Sequence, residues 1–300
     1  MQKIVPTQLA NYLQVFSYLG IPFEKVDNTT LNQKFDIQAS TPLPAKALPS
    51  LKCFTIGIGG HTYVQGTKGI PLSQGLDHTS GDFGLYQHLP FVIRAMNDDL
   101  TADQRKRYAL RKVIEVAGVN YYAYYAKRLD LSDVKPRMTK RTVVDGETQI
   151  DLYVPEEKTN LSPTPPSIPN TGAVTTSGEY LATSAVIPLP FSEADVQELF
   201  NVAKILFGDE RYAIISEFGF CTGVDAAVTI NTTGGQVTFN EVLACQISSI
   251  ISGHYEMVYN SKGFDFSLEV GAVQPLLGAS SGLTMNVITS ANQGGAISPV

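Results

Sequence analysis

Apolar residues recur at helical spacing in three stretches of the chain. One of them predicts a helix over residues 7–19, which Gly20 would end. A second predicts a helix that opens at Ser192 and ends at Gly208, a residue type that favours the helix C-terminus. Both stretches have an apolar stripe on one face, so each helix is expected to pack against a core.

A third helix is predicted over residues 102–117. Thr101 and Gln104 have the spacing of a capping box, in which each side chain bonds to the other residue's backbone N–H. Gly118 follows as the expected end of the helix. The expected buried face consists of Leu110, Val113, Ile114 and Ala117.

Most of the remaining chain predicts β-structure, because short apolar or aromatic stretches alternate with turn residues. Residues 241–251 fit a helix or a strand equally well, and residues 66–84 predict a long loop. A hairpin is expected within 142–150, with its turn at Asp145 and Gly146. The other predicted strands are residues 52–58, 119–126, 211–220, 225–231, 236–239 and 264–270.

An uncharged, proline-rich stretch divides the sequence. Residues 159–178 contain four prolines and no charge, a composition typical of an extended linker or arm. The sequence therefore predicts an α+β fold, mainly antiparallel β-structure with a few amphipathic helices. Its predicted parts are an N-terminal lobe over 1–155, a linker over 156–178 and a β-rich C-terminal lobe over 179–300.

Charge is distributed unevenly along the chain. Only 17% of the 300 residues are charged and the formal net charge is −6. Residues 94–141 hold twelve of the 22 basic residues and six of the 28 acidic ones, so this segment is net +6 and the rest of the chain is net −12. A basic segment of this kind is either a solvated face or a surface for phosphates or an acidic neighbour.

The last thirty residues carry no charged side chain. Such a segment is expected to be ordered by a neighbouring subunit, because its apolar residues would otherwise face water. The chain has no run of 18 uninterrupted apolar residues, so no membrane partner is expected. The candidate interface residues in this segment are Leu276, Leu277, Leu283 and Val287.

Familiar catalytic motifs are incomplete in this chain. Residues 57–60 lack the third glycine of a dinucleotide-binding loop, because Thr62 stands at its position. Residues 278–282 match a nucleophile elbow, but no His, Asp or Glu follows Glu269 to complete a triad. We therefore expect no enzymatic activity, no cofactor and no metal. The three cysteines, which form no CxxC pair, are expected to be small buried apolar residues: Cys53, Cys221 and Cys245.

Two clusters leave alternatives open. Histidines and aspartates crowd into residues 61–88, where they either bind a metal or fix a glycine-rich loop by hydrogen bonds. Four tyrosines beside basic residues either stack on nucleobases or fill a core and a subunit interface, and we favour the second interpretation. The candidate interface residues in this part of the chain are Tyr121, Tyr122, Tyr124, Tyr125, Arg105 and Arg107.

The segment from residue 56 to residue 131 resembles virion structural proteins of large tailed bacteriophages. The motifs that carry the resemblance are residues 57–61 (GIGGH), 78–86 (HTSGDFGLY), 89–94 (LPFVIR), 97–100 (NDDL) and 118–125 (GVNYYAYY), with Arg105, Tyr108 and Arg111 between them. The resemblance implies a non-enzymatic subunit, made in the host cytoplasm and built into the virion. Its implied partners are other virion proteins or further copies of itself in a ring.

The implied position is the tail, the baseplate or the neck between head and tail. Two other functions stay open at this point: a nucleic-acid-binding module that uses the basic segment 94–141, and a metal-using cytosolic enzyme that uses the loop from His61 to His88. Nucleic acid is the less expected partner.

Overall fold

A computed structural model describes residues 3–144, 147–164, 179–232, 235–257 and 264–275. The expected α+β class is confirmed, since the described chain is mostly antiparallel β-sheet with a smaller share of helix. The strands are β1 (Lys3–Pro6), β2 (Ser50–Gly57), β3 (His61–Gln65), β4 (Pro71–Gly75), β5 (His88–Leu89), β6 (Val92–Ala95), β7 (Tyr108–Val116), β8 (Val119–Arg128), β9 (Arg137–Val144), β10 (Glu147–Leu152), β11 (Glu179–Phe191), β12 (Ile214–Thr232), β13 (Gly235–Met257) and β14 (Phe264–Pro275). The α-helices are α1 (Gln8–Leu19), α2 (Leu31–Phe35), α3 (Ala102–Arg105) and α4 (Glu193–Phe207), with short helical turns at Glu157–Leu161 and Glu210–Tyr212.

The chain divides into two compact units, each built from discontinuous segments. Unit 1 consists of Met1–Leu129 and Pro190–Asp265, and unit 2 of Asp130–Leu189 and Phe266–Val300. This division differs from the predicted lobes over 1–155 and 179–300, because each unit combines an earlier and a later segment of the chain. Residues 156–164 of the predicted linker belong to unit 2, and residues 165–178 lie outside the described residues.

Unit 1 is organised around an eight-stranded sheet. Its strand order is β1-β13-β12-β2-β8-β6, with β5 paired to β2 and β7 paired to β8, and the described pairs are antiparallel. Residues 214–220 and 225–231 of the predicted strands are parts of one long strand, β12, whereas residues 211 and 212 belong to the short helical turn before it. Residues 241–251, which fitted either element, belong to strand β13.

Aromatic side chains form the centre of the unit 1 core. The ring of Phe54 lies 5.3 Å from that of Phe91 and 5.9 Å from that of Phe191, both edge-on, and it stacks 6.5 Å from Phe220. All four rings are at most 2% exposed. Burying each of them is worth about 1.5–3 kcal/mol, and edge-to-face geometry adds to that.

Two of the three predicted helices are confirmed. Helix α1 begins after Thr7, whose hydroxyl donates to the Ile247 carbonyl at 2.6 Å and so ties the helix to β13, and it ends at Gly20 in the left-handed region. Helix α4 begins with a capping box between Ser192 and Asp195 and ends at left-handed Gly208.

The predicted helix over 102–117 is wrong. The capping box at Thr101 and Gln104 is present, but helix α3 ends at Arg105 and residues 108–116 are strand β7. The residues Ala117 and Gly118 form a two-residue hairpin turn with φ of 50° and 79°, a turn that matches the twist of paired strands. Pairing with the tyrosine-rich strand β8 outweighs the helical spacing, because local propensity is a weak preference that tertiary contacts override.

Two further features follow from the strand pairing. The predicted loop over 66–84 contains strand β4, which pairs with β3 in a separate two-stranded sheet. The predicted hairpin within 142–150 is confirmed as β9 and β10. In unit 2 these strands belong to a four-stranded sheet of order β10-β9-β11-β14. Across the described residues, no helix is long and apolar enough to span a membrane.

Candidate functional site

The motifs at residues 57–61 and 78–86 meet around one buried glutamate. Glu217 lies in strand β12, next to β2, and its side chain is 0% exposed. His78, from the segment after β4, directs its Nε2 at Glu217 Oε1 at 2.7 Å and its Nδ1 at Asp82 Oδ2 at 2.9 Å. We call these three residues the histidine bracket: Asp82, His78 and Glu217.

Backbone N–H groups donate further hydrogen bonds to the two carboxylates of the histidine bracket. Gly59 donates to Glu217 Oε2 at 2.8 Å, and Tyr86 donates to Glu217 Oε1 at 2.9 Å. The N–H and the hydroxyl of Thr79 donate to Asp82, each at 2.9 Å. Several donors on each carboxylate compensate the removal of charge from water.

Glycines let the chain approach Glu217 closely. A Cβ atom at Gly59 would lie 2.6 Å from the Cβ of Tyr86, and one at Gly60 would lie 2.4 Å from the Ser216 carbonyl oxygen. A Cβ at Gly57 would lie 2.5 Å from Glu217 Oε2. The GIGG motif is therefore explained by close packing against β12.

The environment of His78 favours its doubly protonated form. Burial lowers the His78 pKa, but hydrogen bonds to Glu217 and Asp82 outweigh burial and raise it above its usual value. Burial raises the Asp82 pKa, yet the bonds from Thr79 and His78 leave it lowered. Each ring nitrogen of His78 thus donates to a carboxylate, and the ring of Tyr86 stacks on it at 4.0 Å. An imidazolium held in this way has no lone pair to offer a metal or a substrate.

The second histidine of this segment is also held by protein groups. His88 Nδ1 lies 3.2 Å from the Thr55 hydroxyl, and its Nε2 accepts the N–H of Leu85 at 3.1 Å. Burial lowers the His88 pKa to about 3, so its ring is neutral. His61 lies in strand β3, partly exposed, with its ring 5.7 Å from that of Tyr63. The rings of His78 and His88 are thus held by hydrogen bonds to protein groups, and the ring of His61 lies against that of Tyr63.

Asp99 organises the basic segment in unit 1. It accepts from Arg105 at 3.3 Å, from Arg111 at 3.1 Å and from the Tyr124 hydroxyl at 2.5 Å. The guanidinium of Arg111 also lies 3.6 Å from the ring centre of Tyr122. Within the part of the chain that the structure describes, eight of the twelve basic residues in 94–141 form ion pairs with acidic residues: Arg94, Arg105, Lys106, Arg111, Lys127, Arg128, Lys140 and Arg141. Internal pairing therefore removes much of the positive charge that could meet phosphates.

A small pocket lies beside Asp99. Its volume is about 210 Å³, and its walls include Arg105, Tyr124, Phe239 and Glu241. Glu241 is 4% exposed, and its Oε2 has no hydrogen-bond partner among the described residues. Burial raises the Glu241 pKa to about 7, although nearby Arg111 lowers it.

The predicted interface residues differ in how deeply they are buried. Tyr124 and Tyr125 are 1% and 8% exposed, so their rings lie inside the chain's own core. Tyr121 and Tyr122 are half-buried on β8, and Arg107 is exposed after α3. The four apolar candidates of the C-terminal segment lie outside the described residues: Leu276, Leu277, Leu283 and Val287.

Large apolar side chains are exposed on three separate elements. The β3–β4 hairpin exposes Tyr63, Val64, Ile70 and Leu72, each by at least 40%. In unit 2, the sheet strands β9 and β10 expose four more: Met138, Val143, Ile150 and Leu152. Helix α1 and the residues after it expose Val15, Tyr18, Leu19 and Ile21. Apolar exposure that forms one contiguous patch is typical of contact surfaces.

Sequence reasoning found His78 and Asp82 of the histidine bracket but missed Glu217, Asp99 and Glu241. Glu217 is 139 residues from His78, and no local spacing links them. The available signal was a single acidic residue in the apolar stretch 214–220 (IISEFGF), which a buried strand tolerates only with partners.

Together these features define an α+β protein with an antiparallel core, a buried polar bracket and exposed apolar edges. The chain belongs to DUF7208, a family of unknown function whose model matches residues 1–284. No curated protein and no solved structure matches the chain.

Proposed function

We propose that this protein is a non-enzymatic structural subunit of a tailed-phage virion, which assembles through protein–protein contacts into the tail, the baseplate or the neck. The observation that carries the assembly part is the exposed apolar surface of the β3–β4 hairpin. The phage context rests on the motifs of residues 56–131.

The β3–β4 hairpin is poorly stabilised by itself. It forms a sheet of two strands, which also contact β13, and a two-stranded hairpin is marginal in water without packing of this kind. Val64 and Leu72 are direct cross-strand partners on one face, and both are exposed. A partner that covered this pair would remove apolar area from water, worth about 25 cal/mol per Å².

The polar chemistry of unit 1 supports a structural role. The imidazoles of His78 and His88 bond to protein groups through both ring nitrogens, and Asp99 is shared by two arginines and a tyrosine. Residues tied into such bonds fix the fold and are poorly available for proton transfer to a substrate. The ion pairs of the basic residues in 94–141 disfavour this segment as a nucleic-acid surface, because their positive charge already meets acidic side chains.

Assembly can be tested on the purified full chain. Sedimentation and native mass spectrometry should show oligomers for the wild type and dissociation for the double variant Val64→Thr, Leu72→Thr. The matched control is Thr67→Ser, in the hairpin turn between Gly66 and Gly69, which should assemble as the wild type does. Equal circular dichroism melts would establish that all three chains are folded.

The virion context needs its own measurement. Mass spectrometry of purified particles, followed by localisation in a particle reconstruction, should place this chain in the tail, baseplate or neck. A monomer at all concentrations together with absence from particles would contradict the proposal. Tight, salt-dependent binding of the monomer to DNA would instead favour the nucleic-acid function.

A further inference from the structure

Three cysteines from three neighbouring strands converge in the core of unit 1. They are Cys53 on β2, Cys221 on β12 and Cys245 on β13, and all are 0% exposed. Their sulfur atoms lie within 4.8 Å of one another, with 3.9 Å between those of Cys53 and Cys245. The expectation that they are buried is confirmed, but their mutual contact was not visible in the sequence.

The strands are irregular at this cluster. Cys53 and Cys221 are direct cross-strand partners, and the register shifts on both sides of β12 next to Cys221. On β13, Ala244 has φ of 46°, in the left-handed region that non-glycine residues avoid. Irregularities of this kind re-aim side chains, and here one directly precedes Cys245.

A buried amide supports the irregular backbone of β13. Asn32 from α2 is 3% exposed; its Oδ1 accepts the N–H of Cys245 at 2.7 Å, and its Nδ2 donates to the Val242 carbonyl at 3.0 Å. The same Nδ2 donates to the Ile37 carbonyl at 3.0 Å. Asn32 therefore holds the segment that positions Cys245.

We propose that Cys53, Cys221 and Cys245 form a three-sulfur site for one Cu(I) ion. Metal–thiolate bonds of about 2.3 Å in a trigonal plane separate the sulfurs by about 4 Å, close to the spacing seen here. Thiolates select soft ions such as Cu(I), whereas a structural zinc site takes four ligands. Among the described residues, these three sulfur atoms form the group of potential ligand atoms that lies close enough together to hold one metal ion.

Copper binding would change the charge of the site. Each S–H bond that is replaced by an S–Cu bond releases one proton to solvent, which leaves excess negative charge on the cluster. Arg128 is the cross-strand partner of Cys53 and so lies on the same face of the sheet, where it is ion-paired with Asp225. The bound ion would join β2, β12 and β13. This proposal takes the place of the expectation that the protein binds no metal.

The test presents Cu(I) to the full chain during anaerobic refolding, with a chromophoric chelator as competitor. We expect one copper per chain after desalting and three sulfur neighbours by X-ray absorption. Cys221→Ala should lose affinity by more than the roughly tenfold to hundredfold that follows loss of an outer-shell partner. The matched control is Ile247→Val, the buried cross-strand neighbour of Cys221, which should keep one copper.

Several results would overturn the site. These are no copper in the refolded wild type, equal copper in the wild type and the cysteine variants, fewer than three sulfur neighbours, or zinc bound as tightly as copper. Circular dichroism checks the fold of each variant. If Cys221→Ala does not fold, Cys53→Ala and Cys245→Ala give the same comparison.

Discussion

The carboxylate of Glu217 lies in the middle of a sheet, where an isolated charge would cost several kcal/mol. The histidine bracket removes that cost by placing a cation and backbone N–H groups around it. Because these groups come from the segments before and after the β3–β4 hairpin, one side chain fixes how both segments lie on β12. The histidine bracket therefore ties the segments on both sides of the β3–β4 hairpin to β12.

Replacing His78 by Gln should destabilise the protein by about 3–5 kcal/mol near neutral pH, because it leaves a buried carboxylate without its cation. Urea unfolding followed by circular dichroism measures the change. His61→Gln is the matched control, since His61 is outside the bracket and partly exposed, and it should cost less than about 1 kcal/mol. Equal effects of the two substitutions would contradict the role of His78.

The contribution of His78 should depend on pH with a defined sign. Its folded pKa is raised, so its contribution is fully present below the unfolded value of about 6.5 and is lost as pH rises through the folded pKa. The stability difference between the wild type and His78→Gln should thus shrink in alkaline buffer. A difference that grows with pH would show that the ring is neutral in the fold.

The effect of Glu241 on stability should change with pH in the opposite direction to that of a paired carboxylate. Its folded pKa of about 7 lies above the unfolded value, so ionising it costs stability as pH rises from about 4.5 through 7. Glu241→Gln should therefore stabilise the protein by roughly 1–3 kcal/mol at pH 8 and have little effect at pH 4. Urea unfolding at the two pH values measures it, and destabilisation at pH 8 would mean that the attraction of Arg111 outweighs the cost of burial.

At the scale of elements, the hairpin of β7 and β8 depends on two residues with positive φ. Ala117→Asn should stabilise the protein by about 0.5–1 kcal/mol, because Asn tolerates the left-handed region and Asn-Gly favours this turn. In a helix over 102–117 the same change would destabilise, since Ala is the better helix former. Thermal melts of the two chains thus distinguish the strand from the predicted helix.

Burial along β7 gives a second comparison. Val113 is 49% exposed, so Val113→Asp should fold with a loss of less than about 1 kcal/mol, contrary to the buried face expected from helical spacing. Leu110 is 1% exposed, and Leu110→Asp should prevent folding because an unpaired charge would enter the core. Soluble yield and melting temperature measure both changes. Equal tolerance of the two would contradict the register of β7.

Local signals allowed some elements to be predicted and not others. Helices α1 and α4 have both an apolar stripe and end signals, and both were found. Residues 108–116 also fit a stripe, but their β-branched residues and the Ala-Gly turn favour the hairpin once β8 is available as a partner. Glu217 and Asp99 could not be predicted as centres of polar clusters, because their partners are brought to them by strand pairing and by packing between distant segments.

For the whole molecule, the uncharged C-terminal segment is predicted to contribute to assembly and not to the fold. A chain that ends at Pro275 keeps strand β14, which is the last element of the described residues. It should melt at the temperature of the full chain and should sediment as a smaller species. A lower melting temperature would instead show that residues 276–300 stabilise the fold.

The central place of β12 limits how the length of the chain can vary within the family. Glu217 and Cys221 lie four residues apart on β12, opposite Gly57 and Cys53 of β2. Strand β13 pairs with the other edge of β12. One inserted residue between them would reverse the faces of all that follow, so the cysteine would leave its neighbours while the glutamate kept its own. The turn at 66–69 is closed by the bond from the Gly69 N–H to the Gly66 carbonyl, and residues 67–69 are exposed. Insertions and deletions among relatives should therefore collect in that turn and avoid residues 217–221.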